Sequence, residues 1–263
     1  MRIVDEFARA KAAHRKISVV TAYDAWSARL VARSNVDAIL VGDSAAMVIH
    51  GHETTLPATL GLMAMHTRAV AHAAGGKFVI ADLPFLSYRK GIPAAMTAVG
   101  VLARNGAQAV KLEGVDGHAE VIEQIVGSGV PVMGHLGLTP QSVNGLGGFR
   151  VQGRTDLDAA KLASQAHELE RLGCFAIVLE CIPAALAARI TSELAIPTIG
   201  IGAGPSTDGQ VLVLQDLWGV DSGPSPRFVR HYVDGETVLT NALNEYDADV
   251  KETRFPAPEE SYS

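Results

Sequence analysis

Three carboxylates stand at the ends of short apolar runs in the first half of the sequence. Asp43 follows "AILVG", Asp82 follows "FVIA" and Glu113 follows "VKL". If these runs are neighbouring parallel strands, which lie about 4.7–4.9 Å apart, the three side chains can converge on one point. Three unneutralised carboxylates would repel one another, and a divalent cation would relieve that repulsion. Because the ligands are all oxygens, without a His/Cys cluster, the pattern predicts a Mg²⁺ site at Asp43, Asp82 and Glu113.

Lys111 stands two residues before Glu113 in "AVKLEG", so both side chains would lie on the same face of a strand. Charged side chains are rarely buried unless they are paired or bind a metal. One interpretation is a buried ion pair between these two residues, with the two aspartates as caps. In a metal site, Lys111 would instead hold a substrate carboxylate as an ammonium or form a Schiff base as an amine. Three nearby carboxylates favour the ammonium.

Two more ionisable residues stand at the ends of later apolar runs. Glu180 lies in "AIVLECIP", and apolar neighbours would raise its pKa towards the range of a general base. The alternative is an ion pair with Arg150 or Arg154. His135, in "GHLGLTP", is either a supporting residue of the site or a histidine with a purely structural hydrogen bond.

The elements that would position these residues alternate regularly along the chain. Eight apolar, β-branched runs alternate with Ala-rich helical stretches; the runs are "ISVVTAYD", "DAILVGDS", "KFVIADLPF", "AVKLEG", "VPVMGHLG", "CFAIVLEC", "PTIGIGAG" and "VLVLQDLWG". Continuous apolar strands between helices are typical of a parallel sheet buried on both faces. Eight such units predict an α/β fold, a (β/α)₈ TIM barrel. A doubly wound sheet is the alternative, but no GxGxxG follows the first strand.

The ends of the chain and two long loops complete the predicted architecture. An extra N-terminal helix over 3–13 precedes the first strand and could close the bottom of the barrel. We expect a single catalytic domain over 1–250 and a poorly ordered, Pro- and Glu-rich tail over 251–263. Long segments follow the second and fifth strands, "SAAMVIHGHETTLP" and "LTPQSVNGLGGFRVQGRTD". Both lie at strand C-ends, where barrel enzymes keep their sites.

Composition excludes several classes of protein. The 263 residues are 48% hydrophobic and 19% charged, which excludes general disorder. A net charge of −6 indicates neither nucleic-acid binding nor a basic membrane surface. The two cysteines, Cys174 and Cys181, do not make a disulfide framework. The N-terminal segment has no signal-peptide pattern and no uncharged apolar run is long enough to span a membrane, so we expect a cytoplasmic protein.

Several motifs together resemble those of one enzyme family. They are "VTAYD", "LVGDS", "GHETTLP", "ADLPF", "VKLEG", "GHLGLTPQSVN", "GGFRVQGR", "LECIP" and "IPTIGIGAG". The sequence is similar over about 17–219 to the ketopantoate hydroxymethyltransferase family. It departs from the family pattern in "SAAM" after the Asp-Ser pair, where Leu-Gly is commoner, and in the C-terminal tail.

The resemblance implies a reaction and its participants. The family transfers a hydroxymethyl group from 5,10-methylenetetrahydrofolate to 3-methyl-2-oxobutanoate through a Mg²⁺-stabilised enolate. The product, 2-dehydropantoate (ketopantoate), leads to pantothenate and coenzyme A. Partners would be the α-keto acid, the folate and further copies of the chain, in a homo-oligomer that is often a dimer of pentamers.

The resemblance also implies roles for individual residues. One Mg²⁺ per subunit would be held by Asp43, Asp82 and Glu113. Substrate contacts fall on Asp43, Ser44, Asp82 and Lys111. The catalytic general base falls on Glu180, which would remove the C3 proton of the substrate.

Two other functions are considered beside this one. The first is another Mg²⁺-enolate barrel enzyme, of the phosphoenolpyruvate mutase and isocitrate lyase type. Such enzymes usually carry a reactive cysteine in a mobile loop, and neither cysteine here occupies one. The second is a non-enzymatic binding module for α-keto acids, in which a general base at Glu180 would have no purpose.

Overall fold

The structure is a computed structural model that describes residues 3–220, 223 and 225–262. Eight parallel strands form a closed barrel in sequence order, and β8 pairs with β1 to close it. The strands are β1 (Ile17–Thr21), β2 (Ala38–Val41), β3 (Phe78–Asp82), β4 (Ala109–Glu113), β5 (Val132–Gly137), β6 (Ala176–Glu180), β7 (Thr198–Ile201) and β8 (Gly209–Leu212). The predicted TIM barrel with an extra N-terminal helix is therefore confirmed.

Helices connect most of the strands. They are α1 (Ile3–Ala12), α2 (Ala25–Ala32), α3 (Ala45–Val48), α4 (Leu60–Ala73), α5 (Ile92–Arg104), α6 (Ala119–Gly127), α7 (Asp156–Arg171) and α8 (Ala184–Glu193), with a 3₁₀ helix at Pro140–Ser142. Asp24, Thr59 and Thr155 begin α2, α4 and α7 by accepting a hydrogen bond from a backbone N–H three residues later. None of the helices in the described ranges has both the length and the apolar composition of a membrane span.

The chain divides into two compact units, residues 1–213 and 214–263. The second unit contains α9 (Leu214–Trp218), α10 (Gly235–Lys251) and a 3₁₀ helix at Pro258–Glu260. The proposed domain boundary at residue 250 and the poor order of the tail stay predictions.

The eighth strand was predicted too late in the sequence. The run "VLVLQDLWG" was expected to be one strand, but β8 begins at Gly209 and its second half is the helix α9. A short apolar run does not by itself distinguish a strand from a helix, which explains the error. The barrel begins β8 at a glycine because a Cβ there would lie 2.4 Å from the carbonyl oxygen of Ile17 on β1.

Alternate strand residues point into the barrel, and their character changes along its axis. The buried cluster inside the barrel is apolar; its strand residues include Ile17, Val19, Ala38, Leu40, Phe78, Ile80, Ala109, Met133, Ala176, Val178, Ile199 and Val211. Further along the same face of β3 to β6, the side chains are ionisable: Asp82, Lys111, Glu113, His135 and Glu180. The charged residues therefore lie at the C-terminal end of the barrel.

The opposite end of the barrel is closed by aromatic side chains. Phe7 of α1 is 4% exposed and packs edge-to-face against Phe78 and Phe175, with ring centroids 5.8 and 5.4 Å away. Phe78 begins β3 and Phe175 directly precedes β6. The N-terminal helix therefore covers the N-terminal end of the barrel with apolar surface.

Gly137 allows β5 and β6 to approach closely at their C-terminal ends. Its φ is 93°, in the left-handed region, and a Cβ there would lie 2.2 Å from the carbonyl oxygen of Glu180. That carbonyl instead accepts a hydrogen bond from the backbone N–H of Leu138 at 2.9 Å. The glycine thus fixes the backbone of Glu180 beside β5.

Replacing Phe7 should test how much the N-terminal helix stabilises the barrel. Phe7→Ala leaves a cavity under the barrel, and we expect a loss of about 3–5 kcal/mol of unfolding free energy. For a chain of this size that corresponds to a fall in Tm on the order of 10 °C in a thermal melt. Phe149→Ala, at a side chain that is 53% exposed, is the control and should change Tm little. Equal Tm values for the two variants would contradict the packing role of Phe7.

Candidate active site

The three carboxylates predicted to hold a metal lie together, buried at the C-terminal ends of β2 to β4. Asp43 comes two residues after β2, while Asp82 and Glu113 are the last residues of β3 and β4. The backbone N–H of Asp43 donates to Asp82 Oδ2 at 3.0 Å. Gln141 joins the other two: its amide Nε2 donates to Asp43 Oδ2 at 2.8 Å and its backbone N–H to Glu113 Oε2 at 3.0 Å. The three carboxylates thus belong to one hydrogen-bonded cluster.

The surroundings of Asp43 shift its pKa. Burial, and then repulsion by Asp82 and Glu113, raise the pKa of Asp43 well above its ordinary value. Lys111 and the hydrogen bond from Gln141 oppose that rise without cancelling it. Ionisation of Asp43 is therefore unfavourable in its buried position beside two further carboxylates.

Lys111 is 5% exposed and pairs with Asp82, its neighbour in the β3–β4 register. Its Nζ lies 2.6 Å from Asp82 Oδ1. Burial works against the ammonium, but the three carboxylates outweigh it and raise the pKa of Lys111 above its ordinary value. The simple Lys111–Glu113 ion pair considered from the sequence is therefore wrong, because the contact is with Asp82.

His135 links the carboxylate cluster to Glu180. Its Nδ1 lies 3.6 Å from Glu113 Oε1 and 3.4 Å from Lys111 Nζ, and its Nε2 lies 3.1 Å from Glu180 Oε2. Burial and the Lys111 ammonium oppose protonation of the ring, yet the two carboxylates outweigh them and raise the pKa of His135 to about 9. The two carboxylates that flank His135 therefore favour its protonated ring.

Glu180 has a polar partner that the sequence did not indicate. Its side chain is 16% exposed and forms its ion pair with His135. Within the described ranges it forms no ion pair with Arg150 or Arg154, the partners considered from the sequence. Glu180 thus lies at the edge of the site, on the side of the barrel away from Asp43.

Ser44 lies next to the cluster and is held by a tyrosine. Its Oγ is 2.8 Å from the hydroxyl of Tyr23, a side chain that is 1% exposed. Gly42 gives this hydroxyl its space, because a Cβ there would lie 2.8 Å from Ser44 Oγ and 3.7 Å from Asp82 Oδ2. The Ser44 hydroxyl and the Asp82 carboxylate therefore both lie close to Gly42.

Sequence reasoning missed three side chains of the site. Gln141 and Tyr88 contact the carboxylate cluster, and Tyr23 contacts Ser44. The hydroxyl oxygen of Tyr88 accepts a hydrogen bond from the backbone N–H of Glu113, with a distance of 3.2 Å between oxygen and nitrogen. Only Gln141 had a signal, because it lies in the unusually long segment after the fifth strand.

The residues of the cluster fit a hard divalent cation. Every candidate ligand is a carboxylate oxygen, and the buried atom Glu113 Oε1 has no hydrogen-bond partner. Within the described part of the chain, no group of three or more acidic, His or Cys side chains is arranged to hold a metal ion by itself. Mg²⁺ does not need such a group, because it usually binds one or two carboxylates directly and keeps waters or substrate oxygens as its other ligands.

Neutralising Asp43 should stabilise the metal-free protein. Because the pKa of Asp43 is raised in the folded state, its ionised form destabilises the fold at neutral pH. Asp43→Asn keeps an oxygen for the Gln141 amide and removes one charge, so we expect a gain of about 0.5–2 kcal/mol, measured as a higher Tm in the presence of a chelator. The gain should shrink as the pH falls and Asp43 becomes protonated in the wild type.

The control for this variant is Asp156→Asn, at an exposed carboxylate in the first turn of α7. It loses a favourable interaction with the helix dipole, so its Tm should stay unchanged or fall slightly. A Tm of Asp43→Asn below that of the wild type at neutral pH would show that repulsion does not dominate the cluster.

The barrel is similar to solved enzymes at low sequence identity. Phosphonopyruvate hydrolase in complex with oxalate and Mg²⁺ matches with a TM-score of 0.64 and 11% identity, over 99% of this chain and 93% of that chain. A 2,3-dimethylmalate lyase of the phosphoenolpyruvate mutase/isocitrate lyase superfamily matches with a TM-score of 0.60 and 17% identity, over 100% and 92%. These likenesses show a shared fold.

Sequence comparison is more specific. The family model of ketopantoate hydroxymethyltransferase matches residues 2–258. A 3-methyl-2-oxobutanoate hydroxymethyltransferase of Bdellovibrio bacteriovorus is 54% identical over the full length of both chains. One from Coxiella burnetii is 53% identical over 95% of each chain, and one from Francisella tularensis subsp. novicida is 50% identical over 100% and 99%. The chain therefore belongs to the ketopantoate hydroxymethyltransferase family and is a hydroxymethyltransferase.

Proposed function

We propose that this enzyme transfers a hydroxymethyl group from 5,10-methylenetetrahydrofolate to 3-methyl-2-oxobutanoate and forms 2-dehydropantoate, a precursor of pantothenate and coenzyme A. The acceptor is the substrate named in its close relatives, and the donor follows from the family resemblance. The observation that carries the proposal is the continuous chain of contacts from Asp82 through Lys111 and His135 to Glu180. It supports the proposal because Lys111, as a cation for the substrate carboxylate, and Glu180, as a base, would act on the same inner face of the barrel.

Binding of the α-keto acid would use the cation of Lys111. An ammonium has three donors, and Asp82 occupies one of them, so others remain for the substrate carboxylate. Ser44 would add a hydrogen bond, with its hydroxyl oriented by Tyr23. A Mg²⁺ ion held by Asp43, Asp82 and Glu113 would supply Lewis-acid stabilisation of the negative charge that develops on the keto oxygen.

The chemical step would begin with Glu180. Its carboxylate would remove the proton from C3 of the substrate, and the resulting carbanionic carbon would attack the methylene carbon of the folate as the bond from that carbon to one folate nitrogen breaks. Water would then replace the second folate nitrogen on the transferred carbon and supply the hydroxyl group. The proton taken from C3 and one proton of the water would pass to the two folate nitrogens, and tetrahydrofolate would leave. His135 would orient Glu180 through the contact between its Nε2 and Glu180 Oε2 at 3.1 Å.

The cellular location, assembly and ligands of the enzyme are also part of the proposal. We expect it to act in the cytoplasm as a homo-oligomer, a decamer built as a dimer of pentamers, because its family assembles in this way. Its ligands would be small molecules, with no nucleic-acid or membrane partner, which agrees with the net charge of −6.

Glu180→Gln tests the general base. With Mg²⁺ and no folate, the wild type should exchange the C3 hydrogen of 3-methyl-2-oxobutanoate for deuterium, followed by NMR. We expect the variant to lose exchange by about 10²–10⁴-fold, the usual contribution of a general base, while it still binds the α-keto acid. Glu123→Gln, at an exposed carboxylate on α6, is the matched control and should exchange like the wild type.

Two outcomes would contradict the proposal in different ways. Wild-type exchange rates in Glu180→Gln would mean that another group is the base. Turnover of an α-keto acid that does not depend on added folate would favour a lyase or mutase of the same fold instead.

A further inference from the structure

Gln141 occupies a central position that the reaction described so far does not use. It lies in the 3₁₀ helix after β5, and its side chain is buried, 5% exposed. Its amide Nε2 donates to Asp43 Oδ2 at 2.8 Å and to the carbonyl of Leu83 at 3.0 Å, while its Oε1 accepts from the Tyr88 hydroxyl at 2.9 Å. Its backbone N–H donates to Glu113 Oε2 at 3.0 Å. One residue thus contacts two of the three carboxylates.

The orientation of this amide is fixed by its partners. The Asp43 carboxylate and the Leu83 carbonyl can only accept hydrogen bonds, so the NH₂ group must face them. The remaining oxygen faces the Tyr88 hydroxyl, which can donate. Turning the amide over would place its oxygen against two acceptors and break three hydrogen bonds.

These hydrogen bonds leave one oxygen of Asp43 and one of Glu113 unused. Gln141 occupies Asp43 Oδ2 and Glu113 Oε2, and the Asp43 N–H occupies Asp82 Oδ2. The opposite oxygen of Glu113, Oε1, is buried and has no hydrogen-bond partner, whereas Asp82 Oδ1 pairs with the Lys111 ammonium at 2.6 Å. Asp43 Oδ1 is the other oxygen that Gln141 leaves unused.

We infer that Gln141 is a positioning residue for the divalent cation. By binding one oxygen of Asp43 and one of Glu113, it selects the oxygens of these two carboxylates that bind the cation. The inference rests on the proposed function, in which Asp43, Asp82 and Glu113 hold Mg²⁺. Hydrogen bonds to the second oxygen of a ligating carboxylate fix its orientation and commonly change metal affinity 10–100-fold.

A neutral amide suits this position better than a charged side chain. A lysine or arginine would neutralise the carboxylates and compete with the cation for them. A second acid would add to the repulsion that already raises the pKa of Asp43. The amide satisfies one oxygen of Asp43 and leaves the charge of the cluster available to the metal.

Gln141→Met tests the inference, because methionine has a similar volume and makes no comparable hydrogen bond. Isothermal titration of the intact protein with Mg²⁺ alone should give a Kd about 10–100-fold weaker than that of the wild type. Gln124→Met is the matched control, at an exposed glutamine on α6, and should keep the wild-type Kd. A purely structural role would lower Tm without changing the Kd of the folded protein.

Tyr88→Phe provides a second test with a smaller change. It removes the hydroxyl that orients the Gln141 amide, so Mg²⁺ should bind more weakly than in the wild type, by a smaller factor than in Gln141→Met. A Kd within twofold of the wild type in folded Gln141→Met would overturn the inference. If Gln141→Met does not fold, an unchanged Kd in Tyr88→Phe overturns it.

The titration also separates this inference from the proposed function. Tight Mg²⁺ binding by the wild type, with an equal Kd in Gln141→Met, would remove only the role of Gln141. A wild type that binds no Mg²⁺ would overturn both, because the carboxylates would then hold no cation.

Discussion

The mutual repulsion of three buried carboxylates is the constraint on which the site depends. Asp43, Asp82 and Glu113 share one water-poor end of the barrel, where each charge raises the free energy of the others. The Lys111 ammonium and neutral hydrogen-bond donors such as the Gln141 amide offset this negative charge only in part. The closed sheet of the barrel fixes the spacing of β2 to β4, so the three carboxylates at their ends stay close together.

The charged C-terminal end of the barrel is separate from the apolar layers that stabilise the fold. The inner layers below the charged residues are apolar, and Phe7 of α1 meets Phe78 and Phe175 at the far end. The free energy gained by burying those side chains supports a cluster that, by itself, works against folding. The candidate active site and the aromatic packing of α1 therefore occupy opposite ends of the same barrel.

The sequence predicted the fold and the ionisable residues because both follow local rules. Strand periodicity placed Lys111 and Glu113 on one face, and the strand order brought the carboxylates together. It did not predict the partners of these residues. The contact of Gln141 with Asp43 joins positions 98 apart, and no spacing in the sequence encodes it. His135 was found without its partner Glu180 for the same reason, and β8 was displaced because an apolar run does not distinguish strand from helix.

The close approach at Gly137 limits how this site can change through mutation. No side chain fits between β5 and the carbonyl of Glu180, so position 137 tolerates only the residue without a Cβ. Any other amino acid there disturbs the backbone that carries Glu180. Position 137 is therefore closed to substitution as a way to reshape the surroundings of Glu180.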